Sequence, residues 1–201
     1  MARPREFDID EALDRAMGVF WTKGYEGASL KDLLKAMKIA RGSLYKAFKD
    51  KHSIYVATLD RYDRTIVQPV VEKLRNPEGG DGLARIRGVL EGARDAVAFR
   101  NDRRGCFMCN AAVDQAPADA KIRTKVMAMM KRLEEAIAVA LKESKQAARW
   151  SAKRRTETAR LLLNTYMGLR VLARSGYSAA DLTDIIGACL QNWGLHPARQ
   201  K

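Results

Sequence analysis

The chain has 201 residues, 47% of them hydrophobic, with 14 glycines and 5 prolines, which argues for an ordinary globular protein long enough to bury a substantial core. Its formal charge of +13 invites a polyanionic partner. No apolar run approaches the roughly 18 residues of a membrane span, MARPREFDIDEA lacks a signal peptide's apolar stretch, and three cysteines do not make a secreted disulfide framework; the expectation is a soluble, cytoplasmic protein with no membrane partner.

Residues 2–7 form a short basic arm whose Arg3 and Arg5 are placed to reach a groove or phosphates. Asp8 with Glu11 reads as a capping pair for a first helix, with Leu13, Ala16, Met17, Phe20 and Trp21 on its buried face and Gly24 supplying the left-handed conformation that ends it. Ser29 and Asp32 form an S-x-x-D capping pair ahead of a second helix, in which Leu30, Leu33, Leu34 and Met37 fall at i, i+3, i+4 and i+7. After Lys38, Ile39 and Ala40, Leu44 and Phe48 lie at i, i+4 toward a core, leaving Arg41, Ser43, Tyr45 and Lys46 on other faces. Two short helices joined by a tight turn, with a further helix starting near Lys51, are what a helix-turn-helix needs. From Lys31 to Lys51, seven basic residues stand against two acidic ones, a local excess of +5 suited to a phosphate backbone. Net charge alone does not mark this end, since residues 1–50 carry only +2 and residues 151–201 carry +5.

Asp50 can cap a helix whose apolar positions Ile54, Leu59, Tyr62 and Ile66 continue to about Val67, where Pro69 should kink or end it. Residues 76–82, NPEGGDG, are the clearest loop. The remainder reads as helical over 82–99, 106–115, 118–145, 152–174 and 179–193, the last with Ser178 as cap and Asp181 as its N3 partner. No stretch alternates in the strand period for long, so the expected fold class is all-α.

The segment GSLYKAFKDKHSI resembles the G-(S/T)-L-Y-x-x-F-x-x-K-x-x-(L/I) signature of TetR-type (TetR/AcrR) transcriptional regulators, through Gly42, Ser43, Leu44, Tyr45, Phe48, Lys51 and Ile54. Upstream, AMGVFWTKGYEGASLKDLLKAM is similar to the segment that precedes it in that family, through Ala16, Phe20, Gly24, Tyr25, Ala28, Ser29, Leu30 and Leu33. The resemblance covers roughly the first quarter of the chain. It implies a helix-turn-helix DNA-binding domain over 1–50, continuing into a linking helix to about 68, and a helical effector-binding and dimerisation domain over 51–201. It further implies a homodimeric repressor without cofactor or enzymatic activity, which binds a palindromic double-stranded operator and releases it when a small-molecule effector or thiol-reactive signal acts on the second domain. A recognition helix offers its first residues to base edges, which selects Arg41, Gly42 and Ser43. By the resemblance Tyr45, Lys51 and Ser29 or its amide are phosphate contacts, and Lys46 joins them on charge. Three positions depart from the family pattern. Lys38 stands where the turn usually carries glycine and must take a positive φ or another turn geometry. Ala40 replaces the usual Ser or Thr cap, at a cost of about 1 kcal/mol. Ala47 replaces a bulkier residue before Phe48.

A second constellation is Arg103-Arg104-Gly105-Cys106-Phe107-Met108-Cys109-Asn110. A cysteine at a helix N-terminus beside two arginines has two reasons to ionise, the helix dipole and the nearby charge. A G-C-(L/F) entry to this helix is frequent in one branch of the TetR-type family, some of whose members sense electrophiles or oxidants through a cysteine; the resemblance therefore suggests Cys106 as a sensor thiol. The competing reading is a small hydrophobe buried between helices. Cys106 and Cys109 also form a lone C-x-x-C, but Cys189, His52 and His196 are too remote in sequence to complete a metal site, so no metal is expected. A thiol-dependent redox protein using Cys106 and Cys109 and a helical adaptor for an acidic partner stand as alternatives. Candidate ligand residues are Cys106, Phe107, Met108, Cys109, Met130 and Tyr166, with Phe99, Met127, Met129 and Met167 as further adaptable side chains. In the family the last two long helices of each subunit form a four-helix interface; here those helices offer Leu161, Leu162, Thr165, Leu169, Leu172, Leu182, Ile185, Ile186, Cys189, Leu190 and Trp193, with Gly168 and Gly187 permitting close approach.

Overall fold

A computed structural model describes residues 7–193, which form ten α-helices and no strand. The first four are α1 (Ile9–Gly27), α2 (Leu30–Met37), α3 (Arg41–Ala47) and α4 (Lys51–Tyr62). A π-helical turn over Asp63–Val67 joins α4 to α5 (Gln68–Arg75). The rest are α6 (Gly82–Arg100), α7 (Phe107–Asp114), α8 (Ala120–Lys142), α9 (Ala152–Arg174) and α10 (Ala179–Asn192). The basic arm with Arg3 and Arg5, and His196, lie outside the described residues.

The local signals act as their chemistry requires. Asp8 Oδ1 accepts from the amides of Asp10 and Glu11, and Asp50 Oδ1 from that of Ser53, so each satisfies amides that a helix start leaves free. Ser29 with Asp32 and Ser178 with Asp181 both close full capping boxes. Gly24 interrupts α1 at φ 75°, ψ 173°, an extended glycine-only conformation and not the left-handed helical one expected, and a last turn of α1 follows it. Lys38 takes the left-handed conformation that its position demands, at φ 56°, ψ 41°, and Ala40 caps α3 without a side-chain bond.

The rod begun at Lys51 does not stop near Val67. The Gln68 amide bonds the Asp63 carbonyl five residues back, and this wider turn makes room for the Pro69 ring, which in a regular helix strikes the carbonyl four residues earlier. Arg132 of α8 clamps the bulge by bonding Asp63 and, at 3.1 Å, the Gln68 side chain. The helical course therefore runs on to Arg75.

Helix α1 packs against α2, α4 and α7, while α8 packs on α5 and α9, and α6 on α8, α9 and α10. One contiguous core runs through both groups, from Ala16, Phe20 and Leu33 to Leu162, Ile186 and Leu190. No described helix is long and apolar enough to cross a membrane.

Candidate functional site

The turn between α2 and α3 carries the first candidate surface. Leu33, Met37 and Leu44 are buried and hold the two helices, which leaves the opposite side free. Arg41, Gly42 and Lys46 are exposed, Ser43 is half-buried, and Tyr45 stands 50% exposed. An aromatic ring left half in water by its own subunit is available to a partner. Gly42 has no atom within 4 Å of the place its Cβ would occupy, so nothing inside the subunit requires glycine there. Lys51, the first residue of α4, lies with its Nζ 4.4 Å from the centre of the Tyr25 ring, which fixes the ammonium beside the start of that helix.

Ser29 bonds within its own helix start. Its hydroxyl and its amide both donate to Asp32 Oδ2, at 2.7 and 3.1 Å, and Asp32 also pairs with Lys23 at 2.8 Å. These bonds, first the one from Lys23, hold the Asp32 carboxyl well below the usual carboxylate range. The N-terminus of α2 thus already carries an anion, and Ser29 serves as a helix cap in this conformation.

The second candidate site centres on Cys106, the N-cap of α7, which is only 2% exposed. Its Sγ lies 3.4 Å from the Tyr62 hydroxyl in α4. Hydrogen bonds from Cys109 and Tyr62, with the charge of Arg170, pull the Cys106 thiol below its ordinary value against the effect of burial, whereas the bond to Cys106 and burial push Cys109 up. Burial also pushes the Tyr62 phenol up, so it stays a donor. The charge near the sulfur is not that of the adjacent arginines, as the sequence suggested. Arg103 donates to the Ala173 and Tyr177 carbonyls, and Arg104 pairs with Asp102 and lies 4.3 Å from the centre of the Trp21 ring. Arg170 reaches in from α9, its Nη2 bonding the Gly105 carbonyl at 2.7 Å. Gly105 has φ 78°, and a Cβ there would sit 3.1 Å from the Arg170 carbonyl oxygen, so glycine is what brings this connection onto α9.

Phe107, the residue after Cys106, is buried at the centre of an aromatic cluster and does not face a ligand cavity. Its ring lies 5.5 Å from Tyr55, 5.6 Å from Tyr62 and 6.0 Å from Trp21, and Tyr55 continues the cluster to Phe20 and Tyr25 at 5.0 Å each. Helices α1, α4 and α7 therefore share one set of rings.

The other ligand candidates are not brought together. Met108 and Cys109 are in the core; Tyr166 borders an apolar void of about 10 Å³, too small for more than a water; Met130 lines a separate open groove with Met127 and Arg123. Phe99 is exposed at the end of α6. The structure thus does not gather these candidates around one cavity: Met108, Cys109 and Tyr166 belong to the subunit's own core, Met130 lines the groove and Phe99 is exposed. Five of the candidate interface residues also close the subunit's own core. Leu162, Leu169, Leu182, Ile186 and Leu190 are at most 2% exposed and face inward, whereas Leu161 is 42% exposed and Leu172, Ile185, Cys189 and Trp193 are half-buried. Trp21, Tyr62, Arg170 and Arg174 were not singled out by the sequence as site residues; only the i, i+4 spacing of the two arginines on α9 hinted at a shared face. Among the described residues no group of three or more His, Cys, Asp or Glu side chains is placed to hold a metal ion.

Comparison with known proteins identifies the family. Residues 12–58 match the family model described as "Bacterial regulatory proteins, tetR family", and residues 82–183 match the "Tetracyclin repressor-like, C-terminal domain". The chain is 33% identical over 136 residues to the uncharacterized HTH-type transcriptional regulator YezE of Bacillus subtilis, covering 68% of this chain and 69% of that one. It is 28% identical over 195 residues to the HTH-type transcriptional repressor ComR of Escherichia coli, covering 95% and 91%. Among solved structures, a cysteine mutant of the TetR family regulator CifR complexed with 26-base-pair double-strand operator DNA superposes with TM-score 0.81 at 28% identity, over 95% of this chain and 100% of that one. The reduced form of Escherichia coli NemR, at 19% identity, TM-score 0.78 and coverage of 90% and 94%, shares the fold. The chain belongs to the tetR family of bacterial regulatory proteins, DNA-binding transcriptional regulators that are not enzymes.

Proposed function

We propose that this regulator is a homodimeric repressor whose α3 enters the major groove of a palindromic operator, and which lets go of that operator when a thiol-reactive or other small-molecule signal acts on its carboxy-terminal helices. In this reading residues 1–50 read DNA, α4 and α5 form the link, and the remainder receives the signal and dimerises. Arg41 and Ser43 meet base edges, Gly42 lets the backbone close on the DNA, and Tyr45, Lys46 and Lys51 hold phosphates. The exposure of these residues around a buried Leu44 supports the assignment, as does the operator DNA in the CifR complex.

The observation that carries the regulatory half is the junction at Cys106. Its thiol, biased toward the reactive thiolate, touches Tyr62 of the link, and its neighbour Phe107 touches Trp21 of α1. Attack of the thiolate on an electrophilic carbon forms a C–S bond and passes an electron pair, with a proton from solvent, to the rest of the electrophile. The added group has no room at a sulfur this deeply buried, so α7 must shift, and the shared rings carry that shift into α1 and α4.

A mobility shift on the DNA upstream of the regulator's own and neighbouring genes tests the reading. Specific retardation at moderate salt with competitor present, reversed by an electrophile in the native protein and not in Cys106→Ser, is the expected result. Absence of any specific shift overturns the repressor assignment, and unchanged release by Cys106→Ser overturns the thiol.

A further inference from the structure

A cleft of about 910 Å³ opens where α1, the π turn, the α6–α7 connection and the end of α9 meet. Five arginines line it, Arg100, Arg103, Arg104, Arg170 and Arg174, against one carboxylate, Asp102. Asp102 is already taken by Arg104, whose Nε and Nη2 reach its two oxygens at 2.9 and 2.8 Å. The other four guanidinium groups have no carboxylate partner among the described residues. Arg103, Arg170 and Arg174 donate instead to backbone carbonyls, which satisfy single N–H groups and neutralise no charge. The Arg100 side chain makes no hydrogen bond among the described residues.

Two residues that line this cleft also carry a buried donor without an acceptor, Nε of Arg170 and Nε1 of Trp21. Like charges gathered in a cleft repel one another, and guanidinium groups without a counter-charge favour an incoming anion. That repulsion falls if an anion enters. The wall beside the arginines is apolar, formed by Trp21 and Ile66, so the complementary molecule has a charged end and an apolar body.

We infer that this cleft binds a small organic acid, its carboxylate or phosphate held by Arg100, Arg103 and Arg170 and its apolar part against Trp21 and Ile66. The cleft also reports on α1. Arg174 Nη1 donates to the Trp21 carbonyl at 3.2 Å, and Arg104 covers the Trp21 ring. An anion that draws Arg174 and Arg104 toward itself weakens both holds on α1, and operator affinity falls. This last step rests on the repressor reading; the binding step does not.

Calorimetric titration of the full chain with benzoate, phenyl phosphate and, as a neutral control, benzamide tests the site. The expected result is one site per chain for at least one of the two acids, weakened by added salt and absent for benzamide. Whichever acid binds distinguishes a carboxylate site from a phosphate site. Arg100→Gln and Arg103→Gln should each weaken that binding about tenfold. If Arg103→Gln, which also loses its bonds to Ala173 and Tyr177, fails to fold, Arg100→Gln alone decides. Equal binding of benzamide, unweakened binding by a folded Arg100→Gln, or no binding of either acid overturns the inference. Operator affinity without any acid is measured alongside. If the native protein fails to bind operator while an acid binds, the repressor reading fails and the site stands; if the arginine variants lose operator affinity without an acid present, the arginines hold DNA phosphate and the inference is overturned.

Discussion

The Tyr62 hydroxyl lies 3.4 Å from the Cys106 sulfur, linking the helix that leaves the amino-terminal helices to the start of α7. Tyr62→Phe keeps the ring in its cluster and deletes only this bond. The thiol then loses one group that stabilises its charged form, and its pKa moves back up toward the ordinary thiol value. Thiolate is the reactive species, so modification accelerates as pH rises through the Cys106 pKa and levels off above it. In native protein that rise comes at lower pH than for an ordinary cysteine; in Tyr62→Phe it comes later, and carbamidomethylation of Cys106 near neutral pH, followed by mass spectrometry, slows about three- to tenfold.

The α2–α3 turn is locally suboptimal, which makes it improvable. Lys38 holds a left-handed conformation that disfavours a side chain by about 1 kcal/mol, and Ala40 offers no acceptor to the first amides of α3. Ala40→Ser should raise the unfolding free energy by about 1 kcal/mol, and Lys38→Gly by somewhat less, because glycine also gains freedom in the unfolded chain. Urea denaturation monitored by circular dichroism measures both.

In the proposed DNA complex, substitution of Gly42 should separate folding from DNA binding. Nothing in the subunit fills the space where its Cβ would stand, and alanine is the better helix former by roughly 1 kcal/mol. Gly42→Ala should therefore fold at least as well as native protein and still bind operator less tightly. Tyr45→Ala and Lys51→Ala should weaken binding to all sequences alike, and Arg41→Ala or Ser43→Ala should cost about 1–3 kcal/mol and relax the preference at particular base pairs. Fluorescence anisotropy on the operator and its single-base variants distinguishes the two patterns.

Much of this arrangement was written locally. The bounds of α9 and α10 follow from Ser151 and Ser178, whose oxygens accept from the amides of Arg154 and Asp181, and the helix-turn-helix follows from the spacing of Leu30, Leu33, Leu34, Met37 and Leu44. What the sequence could not say depends on partners far along the chain. Pro69 reads as a helix end until Arg132 of α8 secures the bulge that accommodates it. Arg103 and Arg104 read as neighbours of the thiol, yet α9 supplies the actual charge through Arg170. Leu169 and Ile186 share an apolar stripe with residues that face outward, and periodicity alone does not tell core from interface.

Close approach makes Gly105 and Gly82 intolerant of even a methyl group. Alanine at Gly105 meets both the positive φ and the Arg170 carbonyl oxygen, and should destabilise the fold by about 2 kcal/mol. At Gly82 the Cβ would fall 1.8 Å from the Ala140 carbonyl oxygen, so α6 must move away from α8, and Gly82→Ala should be the more damaging of the two. Thermal unfolding ranks them.

The proposed dimer has a face that the subunit covers only in part. Leu161, Thr165, Gly168 and Leu172 recur along one side of α9, and the contact of Thr165 Oγ1 with Cys189 Sγ at 3.3 Å sets that stripe beside Ile185 and Cys189 of α10. No atom approaches within 4 Å of a Cβ built on Gly168 or Gly187, so both helices can take a partner's backbone closely. In a two-fold pair each substitution enters the interface twice. Leu161→Glu therefore places two carboxylates in one apolar seam, and should yield monomers by light scattering coupled to size exclusion, with subunit helicity retained and operator affinity lost, since a single recognition helix reads only half a site. Leu169→Glu, eight residues on but facing inward, should instead abolish the folded state, because its charge has no route to water from a side chain 1% exposed. If both variants simply unfold, Leu161 is core and the dimer lies elsewhere; if Leu161→Glu remains a folded dimer, the seam is not the interface.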